Sequence, residues 1–159
     1  MTSIPFRPAG YSTLTPFLCV TDGAAALDFY VAVFGASVVS RMDLPDGRVA
    51  HAELQLDRGR LQLADALPEY GLTAPGEGPV THSIAIYVPD VDATTATAAE
   101  HGATVREQPS TFVTGDRFAS VLDPYGHRWS IMTRVEDVTD AEAEQRVADW
   151  AATEMGGDR

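Results

Sequence analysis

The chain has 159 residues, with 23 Asp and Glu against 11 basic residues and a formal charge of −12. That length suits one domain with a proper core, and the acidity repels phosphate backbones, which argues against general nucleic-acid binding. All eleven basic residues are arginine, so lysine Schiff-base chemistry and the Walker phosphate loop are excluded. Cys19 is the lone cysteine; it excludes intramolecular disulfides and thiolate-cluster zinc sites and reads as a buried strand thiol. No apolar run is long enough to span a membrane, and MTSIPFRPAG lacks the layout of a secretory leader. The expectation is a cytoplasmic protein with neither a membrane nor a nucleic-acid partner.

In chain order, the first pattern is FLCVTDGAAALDFYVAVFGASV, Phe17 to Val38. It reads strand, helix, strand, with Asp22 as helix N-cap and Gly35 as left-handed C-cap. Leu27, Tyr30, Val31 and Phe34 follow helical spacing and form the apolar stripe. Strands are predicted over 37–43, 48–57 and 60–64, separated by the turns PDGR and DRGR. LPEYGLTAPGEGP, residues 67–79, is a linker rich in Pro and Gly. The pattern then recurs in AIYVPDVDATTATAAEHGATV, Ala85 to Val105, with Asp90 and Gly102 at the caps. Strands over 104–111, 116–122 and 127–133 follow. Aligning Val20 with Val88 gives a βαβββ unit repeated after about 68 residues. A last helix over 139–154 opens on the capping-box pair Thr139 and Glu142 and carries Val147, Trp150 and Ala151 on one side.

The doubled βαβββ unit, with VTDGAAALDFY, FGA, HAEL and GDR followed by DPYGHRW, resembles the vicinal oxygen chelate superfamily, the glyoxalase, bleomycin-resistance and ring-cleaving dioxygenase group. The order FGA, DGRVAHAEL, LADALPEYG, GDR, DPYGHRWSI is most similar to its PhnB-like branch. The resemblance implies an α+β fold in which two βαβββ modules curl a mixed sheet around a shared cleft, with a C-terminal helix added. It implies one domain over 1–159, with module one at 11–66, module two at 80–136, and a homodimer as the usual assembly. Fold does not fix function, so the site needs its own argument.

Metal-using members resemble one another in four ligand positions, one on the first strand and one on the last strand of each half. Carried onto this sequence, these fall on Thr15, Gln62, Ser83 and Ser130. Neutral hydroxyls and an amide are poor substitutes for imidazole and carboxylate, so no metal and no other cofactor is expected. A one-residue slip would bring His82 into the place of Ser83, but it would also turn that strand over.

Strand alternation puts His51, Glu53 and Gln55 on one face and Ala52, Leu54 and Leu56 on the other. The same reading lines a cleft with Thr15, Phe17 and Cys19; Arg60, Gln62 and Ala64; Ser83, Ala85 and Tyr87; Arg117, Ala119 and Val121; and Arg128, Ser130 and Met132. Phe118, Leu122, Trp129 and Ile131 are assigned to the core. Thr15, Phe17, His51, Glu53, Gln62, Ser83, Tyr87, Arg117, Arg128 and Ser130 are the candidate ligand contacts, a mixed wall suited to a small organic molecule. His51 and Glu53 are also the candidate acid-base pair. Arg117 is read as a partner of Glu53, of Asp116 or of an anionic ligand. His127 is read as a structural histidine.

Two functions compete. One is a metal-free protein that binds or sequesters a drug or metabolite. The other is a lyase, isomerase or dioxygenase-type enzyme, dependent on metal or on His51 and Glu53. A scaffold role for the C-terminal helix is a third reading.

Overall fold

A computed structural model describes residues 4–154. The order is β1 (Phe17–Val20), α1 (Gly23–Phe34), β2 (Ser37–Asp43), β3 (Val49–Gln55), β4 (Arg60–Asp65), a short 3-10 turn (Pro68–Tyr70), β5 (Ile84–Tyr87), α2 (Val91–Glu100), β6 (Thr104–Thr111), β7 (Asp116–Leu122), β8 (Arg128–Arg134) and α3 (Asp140–Glu154). This is an α+β fold with two four-stranded mixed sheets, ordered β1-β4-β3-β2 and β5-β8-β7-β6, and a C-terminal helix. Two compact units result. One runs to Val80 and includes the turn Pro124–His127; the other comprises Thr81–Asp123 and the chain from Arg128 onward. Among the described residues no helix is long and apolar enough to cross a membrane.

In the first unit the caps form as the residue types dictate. Asp22 accepts from Ala25 N–H at 3.0 Å, and Gly35 closes α1 with φ 62°. The buried side of α1 is Ala26, Leu27, Phe29, Tyr30 and Val33. Val31, assigned to the stripe from spacing, is exposed instead. The helix is rotated relative to that expectation because Phe29 and Tyr30 turn inward to meet the ring of Tyr125, with centroids 6.1 and 6.3 Å away.

One buried carboxylate joins three elements of this unit. Asp65, at the end of β4, accepts from Gly23 N–H at 2.7 Å and from Val49 N–H at 2.6 Å. It thereby ties the N-terminus of α1 and the start of β3 to the β4 end. Only glycine fits at position 23, because a Cβ there would lie 2.7 Å from Val49 Cβ and 2.9 Å from the Asp65 carboxylate. Nearby, His127 Nε2 donates to the carbonyl of Cys19 at 3.0 Å. Burial pushes the Cys19 thiol up from its ordinary pKa, which disfavours a reactive thiolate.

In the second unit Asp90 caps α2 by accepting from Ala93 N–H at 3.0 Å. Gly102 has φ 94° just beyond the helix. Register corrects one expectation here. β7 and β8 pair Val121 with Trp129, Ala119 with Ile131 and Ser120 with Ser130. Ala119 and Val121 are therefore core residues, fully buried beside Trp129 and Ile131. Phe118, Ser120 and Leu122 share the Ser130 face. The bulk of Phe118 and Leu122 suggested the reverse, but α2 packs on this strand and leaves room for the smaller pair. Thr139 accepts from Glu142 N–H at 3.3 Å to start α3. Arg146 fastens α3 to Glu136 through two contacts of 2.8 and 2.7 Å, and Trp150 meets Phe112 edge-on at 5.2 Å.

Replacing Asp65 by Ala leaves two buried N–H groups without acceptors and removes charge-assisted bonds, which costs about 2–4 kcal/mol of stability. Urea unfolding of the variant, monitored by circular dichroism, checks this; a midpoint unchanged from the parent chain would refute the clamp.

Candidate functional site

The open face of the first sheet gathers the polar residues that sequence reading singled out. β3 pairs with β4 so that Glu53 lies opposite Gln62 and Gln55 opposite Arg60. Parallel pairing of β1 with β4 puts Phe17 opposite Gln62. Phe17, His51, Glu53 and Gln62 thus share one face, while Leu18, Leu54, Leu61 and Leu63 are buried on the other.

Glu53 is the centre of the group. It accepts from Arg60 Nη1 at 2.9 Å, from Gln62 Nε2 at 3.3 Å and from His51 Nε2 at 3.3 Å. The Tyr11 side chain, whose ring lies under the Arg60 guanidinium, reaches the same carboxylate and shifts its titration. These groups, Tyr11 foremost and then His51, Gln62 and Arg60, hold the Glu53 carboxyl below its ordinary pKa against the opposing effect of burial. Tyr11 is correspondingly pushed up, mainly by Glu53. A carboxylate held ionised under several donors is a fixed anchor and a weak proton acceptor.

Apolar groups flank the polar ones. The Phe17 ring lies 5.8 Å from the His51 ring and is 41% exposed. Met42, across the β2–β3 ladder from His51, is 56% exposed. Thr15 stands half-buried two residues before β1.

Sequence reading missed three members. Met42 lay on a strand it did not use. Arg60 was placed on the face but given no role. Tyr11 sits in a segment with no periodicity, so nothing in the pattern marked it; the guanidinium carbon of Arg60 lies 4.9 Å above its ring.

The second unit presents a different surface. Ser83 Oγ and Ser130 Oγ are 2.8 Å apart. The β5–β8 register pairs Ala85 with Ser130, which places Ser83 on the Ser130 face and leaves His82 outside the strand. Arg128 donates to Ser120 Oγ at 2.9 Å and to Glu107 at 2.7 Å. Tyr87 shares this face, opposite Met132, and is 59% exposed. Glu107 is a further residue that sequence reading passed over.

Arg117 does not belong to that face. Both arms of its guanidinium bind Asp92 on α2, at 2.6 Å each. β7 register turns Arg117 to the helix side with Ala119 and Val121, where the α2 carboxylate meets it. Its assignment as a ligand contact or a Glu53 partner is corrected accordingly.

The four positions that hold metal in metal-using relatives do not fit one here. Ser83 and Ser130 satisfy each other, Gln62 is tied to Glu53, and Thr15 offers a neutral hydroxyl. Such a set is poor for a divalent transition ion. Among the described residues no three His, Cys, Asp or Glu side chains gather as a metal-binding group. A shallow depression of about 420 Å³ lies elsewhere, along α3 at Val113, Arg146, Asp149, Trp150 and Thr153. Its one cation is already engaged by Glu136 and Glu142, so it adds no chemistry.

The family model described as glyoxalase/bleomycin resistance protein/dioxygenase superfamily matches residues 12–131. Among curated proteins, uncharacterized protein Mb0911c of Mycobacterium bovis is 37% identical over 129 residues, spanning 79% of this chain and 85% of that protein. Among solved structures, TioX from Micromonospora sp. ML1 is similar with a TM-score of 0.62 at 26% identity, covering 77% of this chain and 98% of that one. A PhnB protein from Bacillus cereus, titled a putative 3-demethylubiquinone-9 3-methyltransferase, gives 0.60 at 19% identity, over 77% and 99% of the two chains, and is a likeness of fold alone.

Because the Glu53 carboxyl titrates below its ordinary value of about 4.3, the ionised group contributes stability above that pH. The contribution is lost as pH falls through the lower folded-state pKa. Carboxyl-detected NMR titration should place the Glu53 midpoint below that of exposed glutamates, and Arg60→Ala should move it upward. A midpoint that stays put in Arg60→Ala would remove Arg60 from the anchor.

Proposed function

Since the chain belongs to the glyoxalase/bleomycin resistance protein/dioxygenase superfamily, whose fold alone does not name an activity, we propose that it is a metal-free small-molecule-binding protein. It holds a drug or metabolite against the open face of the first sheet. The observation that carries this reading is the Glu53 anchor, fixed by Arg60, Gln62 and His51 beside the half-exposed Phe17. A few convergent polar groups among aromatic and thioether surfaces are the makeup of a ligand site. Taken by itself, the second sheet presents a comparable set of groups in Arg128, Tyr87, Ser83 and Ser130. The motif order around HAEL and DPYGHRWSI supports placement in the PhnB-like branch.

The reading includes a homodimer. Val38 and Val39 are exposed on the edge strand β2, and a second copy is the simplest cover for an apolar edge. A cytoplasmic setting suits the single thiol.

A second reading rests on one contact. His51 Nε2 donates to Glu53 Oε1 at 3.3 Å, which orients the imidazole as a general base whose other ring nitrogen takes the proton. In that case Glu53 positions His51 and does not itself move protons.

Four measurements check these readings. A thermal-shift screen should yield a ligand whose Kd rises about three- to tenfold in Phe17→Ala, the size of one lost aromatic contact. The same Kd should be obtained with protein treated with a chelator; binding that disappears on chelation would overturn the metal-free reading. If turnover of any substrate is found, His51→Ala should abolish it, and unchanged turnover would remove His51 from the mechanism. Light scattering on the intact chain should give the mass of a dimer.

A further inference from the structure

We propose that Tyr11 is a built-in ligand mimic, a phenol carried on the N-terminal arm and seated on the Glu53–Arg60 pair, and that the diffusible ligand of the site is a phenolic ring that displaces it. The inference rests on the ligand-binding reading of the first-sheet face and names the chemistry of its ligand.

The receptor for a phenol is built into the sheet, and the phenol it holds is not. Arg60 and Glu53 stand on paired strands, joined at 2.9 Å. The guanidinium carbon of Arg60 lies 4.9 Å above the Tyr11 ring, a cation over an aromatic face. The Glu53 carboxylate, 2.9 Å from the same guanidinium, is near enough to the hydroxyl of that ring to push the phenol's pKa up, and Gln62 reaches the hydroxyl as well. Ring face and hydroxyl are thus recognised by separate groups whose positions are set by β3 and β4.

The arm that delivers Tyr11 is held loosely. Among the described residues from Ile4 to Leu14, Tyr11 alone is half-buried and all others are exposed. The arm's own hydrogen bonds are local: Tyr11 N–H to the Pro8 carbonyl at 3.4 Å, Arg7 to Thr13 at 3.2 Å, and Ser12 to the Leu14 carbonyl. Ile4, Phe6 and Leu14 are almost wholly exposed and contribute little burial. Lifting the arm therefore costs few contacts beyond those of the Tyr11 ring. The fit is also incomplete, since Arg60 Nε is buried with no acceptor while Tyr11 is seated.

The exchange is a competition with no covalent step. One phenol leaves Glu53 and another takes its place, each keeping its proton. A tethered competitor acts at an effective concentration in the millimolar range, so the wild-type chain binds a free phenol more weakly than the sheet site itself would.

Isothermal titration of the 159-residue chain with p-cresol, and with toluene as its hydroxyl-free counterpart, tests this. Tyr11→Ala should bind p-cresol about tenfold or more tightly than wild type. Toluene should show no such gain, and adding Glu53→Gln to Tyr11→Ala should remove it. Tyr11→Phe, which keeps the ring and loses only the hydroxyl, should give a smaller gain and serves if Tyr11→Ala does not fold by circular dichroism. Equal p-cresol affinity in wild type and both variants, or equal gains for toluene and p-cresol, would overturn the proposal. A non-phenolic ligand weakened by Phe17→Ala but indifferent to Tyr11→Ala would also overturn it, while leaving the broader binding reading in place.

Discussion

A carboxylate withdrawn from solvent has to be surrounded by donors or give up its charge. Glu53 takes the first course, and the open face of the first sheet is organised around that need. Its requirement for donors fixes the side chains of Arg60, Gln62 and His51 and recruits Tyr11 from outside the sheet. Groups that would otherwise sample many rotamers in water are held in one arrangement. Preorganisation of this sort is what lets a small polar cluster discriminate between ligands, because little ordering remains to be done at binding.

The two halves share a plan and differ in chemistry. Glu53 opposite Gln62 in the first sheet corresponds to Ser120 opposite Ser130 in the second. The first pair centres on a charge. In the second, Arg128 donates to the Ser120 hydroxyl and its charge is met by Glu107, while the Ser130 hydroxyl pairs with Ser83. The two sheets share their strand order and pairing and differ in the side chains on their open faces. The ligand positions of metal-using relatives show the same divergence, since they hold an amide and three hydroxyls.

Much of this was legible in the residues themselves. Asp22, Asp90 and Gly35 announce helix ends because their side chains, or the lack of one, suit those backbone positions and few others. The faces of β3 and β4 were legible because Ala52, Leu54, Leu61 and Leu63 alternate cleanly with polar residues. β7 misled because its larger apolar residues, Phe118 and Leu122, are on the less buried face. Alternation states that two faces exist; cross-strand register and the helix above decide which one is buried. α1 misled for a related reason, as its second half, Phe29 to Phe34, is apolar throughout and allows two stripes, and Tyr125, distant in sequence, selects between them. Tyr11 was hidden for want of any periodic context. Alternation in β4 puts Asp65 on the buried face with Leu61 and Leu63, but only three-dimensional placement reveals the Gly23 and Val49 N–H groups it accepts from.

The turn Pro124–His127 has a consequence for how the repeat may be cut. It is encoded within the second βαβββ pattern, yet it is packed as part of the first unit, with Tyr125 against Phe29 and Tyr30 and His127 on the Cys19 carbonyl. A fragment ending at Val80 would leave two aromatic rings of α1 facing water and a carbonyl of β1 without its donor. The halves are therefore duplicates in pattern without being independent parts. Exchange of one half for that of a relative would succeed only if the graft carried this four-residue turn with the unit it completes.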